Sequence, residues 1–256
     1  MEWRNFFCKD EKPLEHLLFD GGFCGIFRTI GCVGDSLSSG EFQIPNEEGD
    51  WAYYDMYEYS WGQFMARTIG SKVYNFSRGG MTAKEYMESF AEANDFWNPD
   101  KACQAYIIAL GVNDIIYQDM ELGSVADIAE DYHNNKKTFA GYYASIVQRL
   151  KEIQPDAKFF FMTMLKWDDE VKDAKTNRHA QFLYELASTF ENCYVMDFCK
   201  YAPVQDAEYQ QKFWLNGHLN PCGYVLTAKM IMSYIDYIIR HNITDFEKIG
   251  FVGRDR

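Results

Sequence analysis

The chain has 256 residues, 47% hydrophobic and 25% charged, the balance of a globular protein long enough for one large domain or two small ones. Its formal net charge of −13 implies an acidic surface that repels phosphate backbones and anionic headgroups, so nucleic acid and membrane-surface partners are not expected. There is no run of about eighteen apolar residues to span a bilayer, and the start, "MEWRNFFCKDEKPLEH", carries early acids and no apolar h-region, so we expect no signal peptide.

No repeat, low-complexity tract or linker breaks the sequence, which favours a single domain over 1–256, with residues 1–26 ahead of the first strand as an N-terminal extension or extra strand. In chain order, short apolar runs fall at 27–34, 71–77, 105–111, 157–163 and 193–198. Each is rich in Val, Ile, Phe or Tyr, as strands buried on both faces are. Helical patterns separate them. The stretch 59–70 ends on Gly70 as a stop signal, 82–94 opens Thr-x-x-Glu as a capping box, and 136–153 ends just before Pro155. Two more helices are expected at 176–190 and 223–242. Five such β–α alternations imply a parallel five-stranded sheet with helices on both sides, a doubly wound three-layer α/β/α sandwich. The working site of such a fold lies at the carboxyl ends of its strands.

Those ends carry chemistry. "GDSLSSGEF" after the first run puts Ser36 in a tight turn, "NFSRGGMT" after the second holds Gly79 and Gly80, and "LGVNDI" after the third holds Asn113. His218, in "WLNGHLNPCGY", follows the fifth run and precedes the last helix. A hydroxyl becomes a nucleophile when a neighbouring base takes its proton, and a tetrahedral intermediate needs donors aimed at its oxyanion. Ser36, His218, Gly80 and Asn113 can fill those roles as nucleophile, base and two donors. Taken singly, each motif more often marks a turn, a cap or a packing residue; their order and shared location argue for acyl transfer.

In these four blocks the chain resembles the SGNH hydrolases, or GDSL-type esterases, over residues 34 to 224. The resemblance implies a flavodoxin-like sheet of order 2-1-3-4-5 and hydrolysis of esters or thioesters with no cofactor and no metal. It assigns the oxyanion hole to Ser36, Gly80 (five residues past Asn75, with Gly79 as fallback) and Asn113. One departure stands out. The family carries Asp three residues before the histidine, and Leu215 occupies that position. The readings left open for the partner of the His218 Nδ1–H are the main-chain carbonyl of Leu215, the side chain of Asn216, or an acid such as Asp197 or Asp206. The carbonyl is favoured because it can only accept and so fixes one tautomer, leaving Nε2 to take the serine proton.

The acidic, aromatic segment 40–63 fits neither a clean helix nor a strand, and reads either as a lid or pocket wall or as an oligomer interface in a homo-oligomer. As a wall it offers Trp51, Tyr53 and Tyr54, and Arg78 is a further candidate for the pocket or else a partner of a surface acid. The segment 116–135 is read as a solvated loop and helix surface. The seven cysteines (Cys8, Cys24, Cys32, Cys103, Cys193, Cys199, Cys222) form no CxxC pair or metal cluster and are expected as buried reduced thiols of a cytoplasmic protein. His16, His133, His179 and His241 lack partners at ligand spacing and read as surface or packing residues. The leading function is cleavage of small acyl esters, O-acetyl groups of a carbohydrate in particular. A lysophospholipase or acyl-thioesterase is the second reading, and a non-catalytic glycan-binding protein the third.

Overall fold

The computed structural model describes Phe7 and residues 10–249. Five parallel strands, β1 (Thr29–Gly34), β4 (Lys72–Ser77), β5 (Ala105–Ala109), β6 (Lys158–Met162) and β7 (Cys193–Met196), form one sheet of order β4-β1-β5-β6-β7. Among these five strands that is the expected 2-1-3-4-5 order. All five fall inside the apolar runs read from the sequence.

Alternation of side chains across each strand divides the interior into two cores. Val33, Tyr106, Ile108, Phe159 and Phe161 point to one face, where they meet the helices Phe139–Ile153 and Glu170–Thr189. Ile30, Cys32, Ile107 and Phe160 point to the other, against the helices Trp61–Ile69 and Pro221–His241. Burial on both faces is why these strands read as continuous apolar runs.

Helix ends follow local chemistry. Ser60 accepts from the Gln63 amide at 3.2 Å and Gly70 closes that helix in a left-handed conformation. The pattern at 82–94 becomes one helix with a π turn at Tyr86–Phe90, capped by Thr82. The fourth helix begins at Glu170, six residues before the expected 176, because Asp169 caps it at 2.8 Å and its first turns are polar rather than periodic. The segment 116–135 holds only short 3₁₀ turns after a π turn at Val112–Tyr117.

The segment 40–63, expected to fit no regular element, contains an antiparallel hairpin, β2 (Glu41–Pro45) and β3 (Trp51–Asp55). Its loop is closed by the Asn46 side chain, which accepts from the amides of Glu48 and Asp50. A second, minimal hairpin joins β8 (Trp214–Leu215) to β9 (His218–Leu219). No described residue before the sheet forms an extra strand. That segment lies instead on the last helix, through Leu18 N–H to Ser233 Oγ at 2.9 Å and Glu11 to Arg240 at 2.5 Å.

No helix among the described residues is long and apolar enough to cross a membrane. The six described cysteines are unpaired; Cys222 is exposed and Cys193 half-buried, against the expectation of burial, and Cys8 lies outside the described residues. Of the expected surface or packing histidines, His179 is fully buried and the other three are exposed.

Candidate active site

β1 ends in Gly34, and Asp35 caps the single helical turn Ser36–Ser39 through Leu37 N–H at 3.1 Å. Ser36 is therefore the first residue of that turn. Burial pushes the Asp35 carboxyl up to about 6. After β4, Gly80 adopts φ 69°, a conformation that costs a side-chain-bearing residue about 1–2 kcal/mol. After β5, the Asn113 amide donates one N–H to the Met81 carbonyl at 3.1 Å. Its neighbour Asp114, completely buried, accepts from Ala83 N–H at 2.9 Å, and burial raises its carboxyl to about 7. These two bonds latch the loop after β5 to the loop after β4, fixing Asn113 relative to Gly80.

His218 comes from the minimal hairpin. Asn216 and Gly217 form its two-residue loop, Asn216 with φ 55°, a left-handed conformation that asparagine tolerates. The Gly217 N–H donates to Gln43 Oε1 at 3.1 Å, and Gln43 Nε2 donates to Tyr53 Oη at 3.2 Å, so the β2–β3 hairpin braces the His218 hairpin. Tyr53 meets the imidazole edge-on at 5.7 Å between centroids. Tyr224, on the last helix, donates to the main-chain carbonyl of Glu41 at 2.7 Å and to that of Ser36 at 3.4 Å.

A single cavity of about 660 Å³ brings Ser36, Gly80, Asn113 and His218 together, with Gly79 on its wall. Aromatic side chains of Tyr53, Tyr117, Trp167 and Trp214 also line it. Of the pocket candidates, Tyr53 borders the cavity, whereas Trp51, Tyr54 and Arg78 do not. Trp51 and Tyr54 sit exposed on the hairpin, and Arg78 pairs with Glu85 at 2.6 Å over the Phe90 ring.

The expected holder of His218 is corrected. Its Nδ1 is buried and has no hydrogen-bond partner among the described residues, so neither the Leu215 carbonyl nor Asn216 accepts from it. The reason is the hairpin: Leu215 is the cross-strand partner of His218, so its carbonyl lies along the ladder rather than toward the ring. Asp197 and Asp206 are committed elsewhere as caps, to Lys200 N–H at 3.0 Å and Tyr209 N–H at 2.8 Å. The carboxylate that does reach the ring is Glu41, whose Oε1 lies 3.1 Å from His218 Nε2. Glu41 stands inside the "GDSLSSGEF" block, and alternation along β2 would have placed it with Gln43 on one face; the hairpin had to be recognised first.

The GDSL-like Lipase/Acylhydrolase family description matches residues 32–226. No curated protein matches the sequence. Among solved structures, a carbohydrate esterase family 2 enzyme with a carbohydrate binding domain from Corynascus thermopiles (Myceliophthora fergusii) is similar at 16% identity and TM-score 0.58, over 83% of this chain and 67% of that one. Est24, a carbohydrate acetylesterase from Sinorhizobium meliloti, is similar at 16% identity and TM-score 0.54, over 82% and 99%. The lipase/acylhydrolase from Enterococcus faecalis is similar at 17% identity and TM-score 0.52, over 82% and 96%.

Proposed function

The chain belongs to the GDSL-like Lipase/Acylhydrolase family and is an ester-hydrolysing enzyme, and on that premise we propose that it removes small acyl groups, O-acetyl groups of carbohydrates, through Ser36 and His218. The observation that supports this most is the convergence of Ser36, Gly80, Asn113 and His218, from four separate loops, on one cavity. Ser36 Oγ attacks the ester carbonyl while His218 takes its proton. The oxyanion is received by the N–H of Ser36, the N–H of Gly80 and the Asn113 N–H that Met81 leaves free. Collapse of the intermediate expels the alcohol with the proton held by the imidazolium. Water, activated by the same base, then releases the acid from the acyl-enzyme.

The sugar side of the reading rests on the cavity walls. Tyr53, Tyr117, Trp167 and Trp214 offer flat apolar faces with polar edges, which suit sugar rings better than extended acyl chains. Carbohydrate esterases among the similar structures agree with it.

The test is hydrolysis of a p-nitrophenyl ester series and a panel of acetylated sugars by the wild type, Ser36→Ala and His218→Ala. We expect activity highest on acetyl and falling beyond about four carbons, both variants slower by about 10³-fold or more, and a fluorophosphonate that modifies Ser36 alone. Rising activity with chain length supports the lysophospholipase or thioesterase reading instead. An unlabelled Ser36 with retained sugar binding supports a glycan binder.

A further inference from the structure

The acid beside His218 approaches the opposite ring nitrogen from the one that the missing aspartate leads one to expect. Glu41 Oε1 is 3.1 Å from Nε2, and the two side chains are only 13% and 12% exposed. Nδ1 is buried and has no hydrogen-bond partner among the described residues. Glu41 is also firmly placed. Its carbonyl accepts from the buried Tyr224 hydroxyl at 2.7 Å, and across the hairpin it faces Asp55, whose carboxylate accepts from Ser39 Oγ at 2.8 Å. On its other side a Cβ at Gly79 would run into the Glu41 carboxylate, so that glycine makes room for the acid beside the histidine.

We propose that Glu41 is the positioning acid of this site, accepting Nε2–H of His218 and leaving Nδ1 as the nitrogen that takes the Ser36 proton. The inference rests on the Ser36–His218 reading above. A carboxylate can only accept, so it selects the Nε2–H tautomer. As the Ser36 Oγ–carbon bond forms, the hydroxyl proton passes to Nδ1. The imidazolium then carries both N–H groups, with the Glu41 side chain beside it. When the carbon–oxygen bond to the leaving alcohol breaks, the Nδ1 proton goes to that oxygen.

Two measurements test it. The first compares Glu41→Gln with the wild type on p-nitrophenyl acetate. Glutamine keeps the shape but can turn its NH2 toward the ring and hold the other tautomer. We expect kcat to fall between about 10²- and 10⁴-fold, KM to change less than about threefold, and fluorophosphonate labelling of Ser36 to slow in parallel. The second is ¹⁵N spectroscopy of the histidine-labelled wild type at alkaline pH, where a neutral ring carries one N–H. His218 should show a protonated Nε2 and an unprotonated Nδ1, a signature that needs neither a variant nor turnover. A Glu41→Gln enzyme within about threefold of wild-type kcat, or faster, overturns the proposal, the latter because Glu41 would then be blocking Nε2. A wild-type ring protonated on Nδ1 overturns it equally. Failure of the underlying serine reading is distinct, since it would be read from a Ser36→Ala enzyme with wild-type turnover.

Discussion

Two carboxyls at the site are adjacent in sequence to residues proposed to act. Asp35 precedes Ser36 and Asp114 follows Asn113, and burial raises the first to about 6 and the second to about 7. Asp35 accepts the main-chain N–H of Leu37 and Asp114 that of Ala83, so each sets a loop in place, and Asp35 also lines the cavity. The energetic consequence has a definite sign. The ordinary value of Asp114 is 3.8, so between there and about 7 the unfolded chain has released a proton that the folded chain retains. Folding then becomes less favourable as pH rises through that window, by up to about 1.4 kcal/mol per pH unit, and levels off above it. Asp114→Asn keeps the oxygen that receives the Ala83 amide and removes the ionisation. Measured by urea unfolding at pH 5 and pH 8, the wild type should lose roughly 2 kcal/mol more between the two than the variant does. Parallel stability curves would show that Asp114 ionises in the folded protein as it does in the unfolded chain. At this scale the four block residues were legible because each is tied to a glycine turn or a cap after a strand. Glu41 was not, since its partner is supplied by a hairpin distant in sequence.

At the scale of elements, legibility follows burial. The five sheet strands are covered on both faces and so appear as uninterrupted apolar runs. The β2–β3 hairpin has most of β3 exposed, Trp51, Tyr53 and Tyr54 among them, which blurs the alternation that would mark it. The β8–β9 hairpin is two residues a side, too short for any periodicity, yet its Asn-Gly loop is a hairpin signal in its own right. That loop sets the position of His218. Asn216 at φ 55° tolerates the left-handed conformation better than alanine does. Asn216→Ala should therefore lower stability by about 1 kcal/mol and reduce kcat by shifting the imidazole, whereas Asn216→Gly should preserve both. Thermal unfolding together with p-nitrophenyl acetate turnover checks this. Equal behaviour of the two variants would mean the turn conformation does not hold the histidine.

For the molecule as a whole, charge narrows the class of ester. The net charge is −13, and among the described residues lining the cavity there is no lysine or arginine, while Asp35 and Glu41 are both present. A substrate whose leaving group bears phosphate would approach an acidic surface and enter a cavity with no cation to receive it. A neutral acetylated sugar meets neither obstacle, and the aromatic walls offer it stacking contact. The difference is measurable through screening, because the Debye length falls from about 30 Å at 0.01 M salt to about 8 Å at 0.15 M. Across that range kcat/KM for an anionic acetyl ester should rise about threefold or more, while kcat/KM for a neutral acetyl ester of the same leaving-group acidity should stay within experimental error. A fall for the anionic ester would instead reveal attraction, and would require a cationic docking surface outside the cavity. Because both esters would be cleaved at the same site, the ratio of the two salt responses isolates the field of the whole molecule from the chemistry of that site.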